Sequence, residues 1–107
     1  MVYKKAVRDK IPEIIKKDGY SCNVRNLSND DFLLEIEKKL NEEVTEYLLD
    51  KDPKELVDIL EVVYTIAKLN GISKEQLEEI RIQKINECGS FDKNLFLINT
   101  TKNRTND

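Results

Sequence analysis

Residues 42–58 read EEVTEYLLDKDPKELVD and contain two acidic pairs, one on each side of a turn. The four acids, spaced i,i+3 within each pair, are Glu43, Glu46, Glu55 and Asp58. Between the pairs, Asp52 is a good helix N-cap and Pro53 suits the first helical position. A link this short joins antiparallel helices. The stretch therefore predicts a helical hairpin, and the rest of the fold is built outward from it.

Capping residues and glycines predict the other helix boundaries. Asp9 is a candidate cap with Pro12 in the first turn, Ser28 precedes the second helix, and residues 73–76 form a capping box. The glycines at 19, 71 and 89 stand where helices commonly end. These signals predict a mainly α, four-helix bundle. Its helices are expected near residues 9–18, 29–50, 53–70 and 73–88.

Two segments outside these helices have the length and composition of short strands. SCNVRNL covers residues 21–27 and LFLIN covers residues 95–99. We predict that they pair with each other. Residues 1–99 are then a single domain, and residues 100–107 are a polar tail expected to fray.

The composition of the chain limits which ligands it can bind and which catalytic groups it can use. The net charge of −3 argues against a general binder of nucleic-acid polymers. The chain has no long apolar run and no apolar N-terminal segment, so we expect no membrane span and a cytoplasmic location. Cys22 and Cys88 are expected to be free thiols, buried or partly buried. With no histidine in the chain, catalysis would have to use carboxylates, Lys, Arg, Tyr or a metal.

Helical periodicity places one of the acids inside the core-facing side of its helix. At about 100° per residue, the second helix carries an apolar stripe. Its members are Leu33, Ile36, Leu40 and Tyr47, with Val44 beside it. Glu43 falls within this stripe and Glu46 on its flank, whereas Glu42 points away and is expected to be fully solvated. A carboxylate in the stripe is costly unless it is paired or binds a cation.

The third helix brings the second acidic pair to about the same height above the turn as the first pair. Its apolar residues cover more than half of its circumference, which indicates neighbours on several sides and favours a homodimer or larger homo-oligomer. Glu55 and Asp58 lie at the edge of this arc. Four carboxylates gathered in this way favour a hard divalent cation. Taken separately, each pair is also typical of a solvated helix face.

Four segments of the chain resemble a known family. They are YKKAVRDKIPEII (3–15), KKLNEEVTE (38–46), KELVDILEVV (54–63) and IRIQKINECGSF (80–91). The acidic segments resemble the Glu-x-x-Glu…Glu-x-x-Asp signature of the MazG-like, all-α nucleoside triphosphate pyrophosphohydrolases. Together with VRDKIP, they resemble its phosphoribosyl-ATP pyrophosphohydrolase-like subgroup. The similarity extends over residues 3–98.

The resemblance implies a Mg²⁺-dependent hydrolase, with Mn²⁺ as a substitute, that cleaves between the α- and β-phosphates of a nucleotide. It implies that the four acids hold the metal and that Glu46 accepts a proton from the attacking water. Candidate phosphate-binding residues are Lys39, Lys84, Arg8 and Lys10. Lys39 could instead pair with Glu46, and Arg8 or Lys10 with Asp9.

Cys88 stands where the subgroup pattern has an arginine. This difference leaves a rival open, a non-catalytic helical interaction module that keeps the fold. Phosphoribosyl-ATP itself is an alternative substrate, which the subgroup's name suggests and no residue specifies.

Overall fold

The computed structural model describes residues 3–103 and is mainly α-helical, as predicted. Four helices occur in this range. They are α1 (Ile11–Lys17), α2 (Asn29–Asp50), α3 (Pro53–Leu69) and α4 (Lys74–Cys88). The predicted boundaries of α2, α3 and α4 are confirmed to within a residue.

The predicted pairing of residues 21–27 with residues 95–99 is wrong. No strand is present between residues 3 and 103, and no backbone hydrogen bond joins the two segments. Two short strands without a supporting layer are marginal in water. Within residues 3–103, the second segment is left uncovered, and its Leu95 and Ile98 remain 87% and 83% exposed.

Side-chain caps explain where the three long helices begin. The Ser28 side chain accepts a hydrogen bond from the Asp31 amide at 3.2 Å. Ser73 and Gln76 exchange bonds of 3.1 and 2.8 Å in the predicted capping box. The first helix differs from the prediction. Lys10, not Asp9, occupies its N-cap position and makes no side-chain cap, so α1 begins at Ile11 without one.

The link between α2 and α3 fixes the hairpin. Lys51 takes a left-handed conformation (φ 57°, ψ 23°), and its amide donates to the Tyr47 carbonyl at 2.7 Å. The Asp52 side chain then accepts from the Lys54 amide at 2.9 Å. These two residues end one helix and start the next, which returns the chain along α2.

The core lies between the hairpin and the N-terminal segment. Ala6, Ile36 and Val62 are its buried members. Half-buried side chains surround them, namely Phe32, Leu33, Leu40, Ile66 and Leu69. Most interhelical packing joins α2 to α3, and α4 touches α3 at only a few positions. The radius of gyration is 19.8 Å, against about 13 Å for a compact domain of this length. The single chain therefore does not close the predicted bundle.

Among residues 3–103, no helix combines the length and the apolar character that crossing a membrane requires.

The cap of α3 gives a stability prediction. Asp52→Ala should lower the free energy of unfolding by about 1 kcal/mol, because the Lys54 amide loses its acceptor. Asp50→Ala is the matched control. It removes an acid from the C-terminal end of α2, where negative charge is unfavourable, and should leave stability unchanged or raise it. Urea denaturation measures both, and equal losses in the two variants would contradict the capping role.

Candidate metal centre

Three carboxylates from the two hairpin helices meet beside the core. Glu43 comes from α2, and Glu55 and Asp58 come from the first two turns of α3. One oxygen from each lies within 4.8 Å of the others. We call these three residues the acidic cluster. Its members come from both predicted pairs, so the hairpin does bring the pairs together.

Glu43 is the most deeply buried acid of the cluster. Its residue exposure is 6%, which confirms that it occupies a core-facing position of α2. Its Oε2 is enclosed and has no hydrogen-bond partner among residues 3–103, and the same is true of Oε2 of Glu55. Buried polar atoms are nearly always paired, and an unpaired carboxylate oxygen is costly. The cluster thus contains two buried oxygens that receive no hydrogen bond from the part of the chain that the structure describes.

The proximity of these acids changes their protonation. Burial raises the pKa of Glu43, and the charge of Glu46 raises it further, while a hydrogen bond from Lys39 opposes the change. Burial also raises the pKa of Glu55, with Glu46 and Asp58 adding to the effect. The fold therefore holds together charges that repel one another, so a proton or a cation would stabilise them.

Glu46 is the one predicted ligand that does not join the cluster. It is half-buried on the flank of α2, one turn from Glu43. No oxygen of Glu46 belongs to the group that meets within 4.8 Å, although its charge acts on both Glu43 and Glu55. Glu46 therefore lies outside the cluster but near enough for its charge to act on two of its members.

Two of the predicted basic residues contact the cluster directly. Lys39 Nζ lies 3.4 Å from Oε1 of Glu43 and also 3.4 Å from Oε1 of Glu42, so its ion pairs are with these acids and not with Glu46. Arg8 Nη2 donates to Oδ1 of Asp58 at 2.6 Å. The alternative in which Arg8 pairs with Asp9 is therefore wrong.

The expectation that Glu42 is fully solvated is also wrong. It is half-buried, because Lys39 at 3.4 Å and Lys5 at 3.8 Å both approach its Oε1. It nevertheless lies outside the acidic cluster.

Within residues 3–103, the two other predicted phosphate-binding residues form no ion pair with the cluster. Lys10 is exposed at the start of α1, and Lys84 is exposed on α4. Between residues 3 and 103, neither forms an ion pair, which also leaves the Lys10–Asp9 alternative without support.

Both cysteines are free thiols, as predicted. Cys22 is half-buried. Cys88 is exposed at the end of α4, so the expectation that it is at least partly buried is wrong.

Sequence reasoning missed the contact between Arg8 and Asp58. The two residues are 50 positions apart, and the N-terminal segment that carries Arg8 has no helical periodicity to show which face it covers. The only available signal was the apolar Ala6, which packs in the core and brings the segment onto the hairpin.

Comparison with known proteins gives limited information. No family model and no solved structure matches the chain. A stretch of 40 residues, 37% of the chain, is 45% identical to an uncharacterized protein of Mycolicibacterium smegmatis. The chain spans 41% of the length of that relative. This similarity is too short to show a family.

The raised pKa of Glu43 gives a pH prediction for the metal-free protein. A folded-state pKa above the unfolded value contributes stability below the ordinary pKa of 4.5, and this contribution is lost as the pH rises through the folded value. Glu43→Gln should therefore gain more stability relative to wild type at pH 7 than at pH 4. Urea denaturation in EDTA at the two pH values measures the difference.

Glu78 is a control in which the pKa is shifted in the opposite direction, downward. A hydrogen bond from Arg81 lowers the pKa of Glu78, so its contribution is present above pH 4.5 and is lost as the pH falls through the folded pKa. Glu78→Gln should cost stability at pH 7 and approach wild type at low pH. A pH-independent effect of Glu43→Gln would contradict the repulsion within the acidic cluster.

Proposed function

We propose that the protein is a Mg²⁺-dependent nucleotide pyrophosphohydrolase. It would hydrolyse the bond between the α- and β-phosphates of a nucleoside triphosphate or related nucleotide, releasing pyrophosphate and a monophosphate. One observation carries this proposal. Within residues 3–103, the buried carboxylate of Glu43 has one oxygen without a hydrogen-bond partner, and this carboxylate is one of the three that meet within 4.8 Å.

The residues present fit a hard divalent cation. Mg²⁺ and Mn²⁺ prefer carboxylate oxygens, and Mg²⁺ is usually held by a few carboxylates together with water and phosphate. Glu43, Glu55 and Asp58 supply three such groups, and Glu46 stands next to them as the fourth ligand of the proposal. When bound, the cation would neutralise phosphate charge and lower the pKa of a coordinated water.

Glu46 is suited to accept the proton of the attacking water. It lies at the edge of the acidic cluster and keeps partial contact with solvent, so a water molecule can reach it. A general base has to lie within hydrogen-bond reach of the water, directly or through a second one. The position of Glu46 beside the cluster is compatible with this requirement.

Lys39 and Arg8 are suited to hold the phosphates. Each already forms an ion pair with a carboxylate of the cluster. The Arg8 side chain is 54% exposed, so a ligand can reach its guanidinium. If a cation bound these carboxylates, the side chains of Lys39 and Arg8 would become free to bind the anionic oxygens of a phosphate. Lys10 and Lys84 remain predictions from the resemblance alone, since neither forms an ion pair with the cluster within residues 3–103.

The resemblance to MazG-like pyrophosphohydrolases supports the reaction class. Three of its four motifs fall on the elements that build the site, and the fourth lies on α4 and the residues after it. VRDKIP carries Arg8, and the two acidic motifs are the facing segments of α2 and α3. The proposal also includes a cytoplasmic location, a nucleotide but no nucleic-acid polymer as ligand, and self-association through the apolar arc of α3.

A non-catalytic helical module is the second candidate. Arg8 and Lys39 already pair with two of the three acids, so the hairpin can be held together by ion pairs alone. The exposed Cys88, at the position of the subgroup arginine, is also in keeping with a loss of phosphate binding. Turnover separates this candidate from the enzyme, whereas metal binding alone does not.

The cation site gives a binding prediction. Mg²⁺ at 100 times its dissociation constant should stabilise the wild type by about 2.7 kcal/mol through binding to the folded state. Glu43→Gln and Asp58→Asn should abolish most of this gain. Glu37→Gln, an exposed acid on α2, is the matched control and should respond as wild type does. Thermal unfolding with and without Mg²⁺ measures the gain, and an equal gain in all variants would place the cation elsewhere.

The reaction gives an activity prediction. With Mg²⁺, the wild type should release pyrophosphate from at least one substrate in a panel of nucleoside triphosphates and phosphoribosyl-ATP. Glu46→Gln should reduce the rate at least about 100-fold, in the range of general-base catalysis. Glu37→Gln should keep the wild-type rate. No release from any substrate at high protein concentration would refute the enzyme and favour the non-catalytic module.

A further inference from the structure

The segment after α4 presents a row of apolar side chains to solvent. We call residues 91–99 the C-terminal arm. Five of its nine side chains are large and apolar, and each is more than 80% exposed. They are Phe91, Leu95, Phe96, Leu97 and Ile98. Contiguous exposed apolar surface of this kind is uncommon on monomers and commonly marks an interaction site.

The arm is also unpaired along its backbone. Residues 91–99 form no helix or strand and contain only a turn at residues 92–93. Within residues 3–103, none of them forms a backbone hydrogen bond of good geometry. An apolar segment with free backbone donors and acceptors can bury its side chains and satisfy its main chain at the same time by docking on another surface.

A second unpartnered apolar surface lies on α3. Leu56, Val57 and Leu60 occupy adjacent turns on one side of the helix and are 49%, 61% and 48% exposed. We call these three residues the α3 strip. They are part of the apolar arc that indicates neighbours on several sides of this helix. The chain packs α2 on the opposite part of the arc and leaves the strip uncovered.

The total exposed area shows how much surface remains to be buried. The chain exposes 10,112 Å², whereas a compact monomer of its mass exposes about 6,200 Å². A standard interface needs about 800 Å² from each partner. The surplus is several times this amount, although within one copy the arm and the α3 strip remain apart and exposed.

We propose that the C-terminal arm docks on the α3 strip of a second copy of the chain. With two-fold symmetry, each copy gives an arm and receives one, so the same contact forms twice. The arm then lies beside the helix that carries Glu55 and Asp58, because Leu56 and Val57 separate these two acids in the sequence. This inference rests only on the self-association part of the proposed function and is independent of cation binding and hydrolysis.

The first test is the mass of the full chain in solution. Light scattering after size exclusion should give about 25 kDa, twice the 12.5 kDa of one copy. Leu97→Asp in the arm and Leu60→Asp in the α3 strip should each raise the dissociation constant at least about 100-fold, because a buried leucine is lost at both symmetric contacts. Asn99→Asp adds the same charge at the polar end of the arm and should remain associated.

Mixing the two defective variants tests whether the arm meets the strip. A Leu97→Asp copy keeps an intact strip, and a Leu60→Asp copy keeps an intact arm. Together they can form one of the two contacts, so the mixture should associate more tightly than either variant alone. No gain on mixing would overturn the pairing of these two surfaces.

A cross-linking measurement on the wild type covers the case in which a variant does not fold. Isotopically light and heavy copies are mixed and treated with a lysine cross-linker. Lys93 in the arm should link to Lys54, two residues before Leu56, in products that contain one light and one heavy copy. A wild-type mass of 12.5 kDa, or links formed only within one copy, would overturn the proposal. A dimer that survives Leu97→Asp would overturn the role of the arm and leave self-association standing.

Discussion

The buried carboxylate of Glu43 is the constraint around which the hairpin is arranged. It occupies a position of α2 that helical periodicity assigns to the core, and its exposure is 6%. Burying a charge is costly, so the chain surrounds this group with compensating features. Lys39 lies 3.4 Å from one of its oxygens, and the other has no hydrogen-bond partner within residues 3–103. The same carboxylate meets those of Glu55 and Asp58 within 4.8 Å. This arrangement is poor for stability alone and well suited to a cation.

The short link between α2 and α3 is what brings the acids together. Lys51 in a left-handed conformation and the Asp52 cap reverse the chain within two residues, so acids one to two turns from the link meet across the hairpin. The N-terminal segment then covers the open side. Ala6 anchors it in the core, and Arg8 reaches Asp58 at 2.6 Å. Local geometry at the turn and one remote ion pair thus define the candidate site.

The sequence predicted those parts of the molecule that depend on local interactions. The caps correctly predicted where three helices begin, at Ser28, Asp52 and Ser73. The periodicity of α2 correctly predicted that Glu43 faces the core. Both features depend on neighbours within one or two turns of the helix. Features that depend on distant partners were not predictable. The strand pairing failed because no layer supports it, and the Arg8–Asp58 contact joins residues 50 apart. One of the two partners of Glu42 was missed for the same reason, since Lys5 reaches it from the N-terminal segment, whereas the other, Lys39, lies one turn away on α2.

The central claim is that the acidic cluster binds a divalent cation. A crystal of the full chain grown with Mn²⁺ tests it most directly, because anomalous scattering locates the ion independently of any activity. The account predicts a strong anomalous peak in contact with oxygens of Glu43, Glu55 and Asp58, with the Arg8 guanidinium moved away from Asp58. A fully occupied Mn²⁺ elsewhere, with Arg8 still paired to Asp58 and no peak among the three acids, would contradict it.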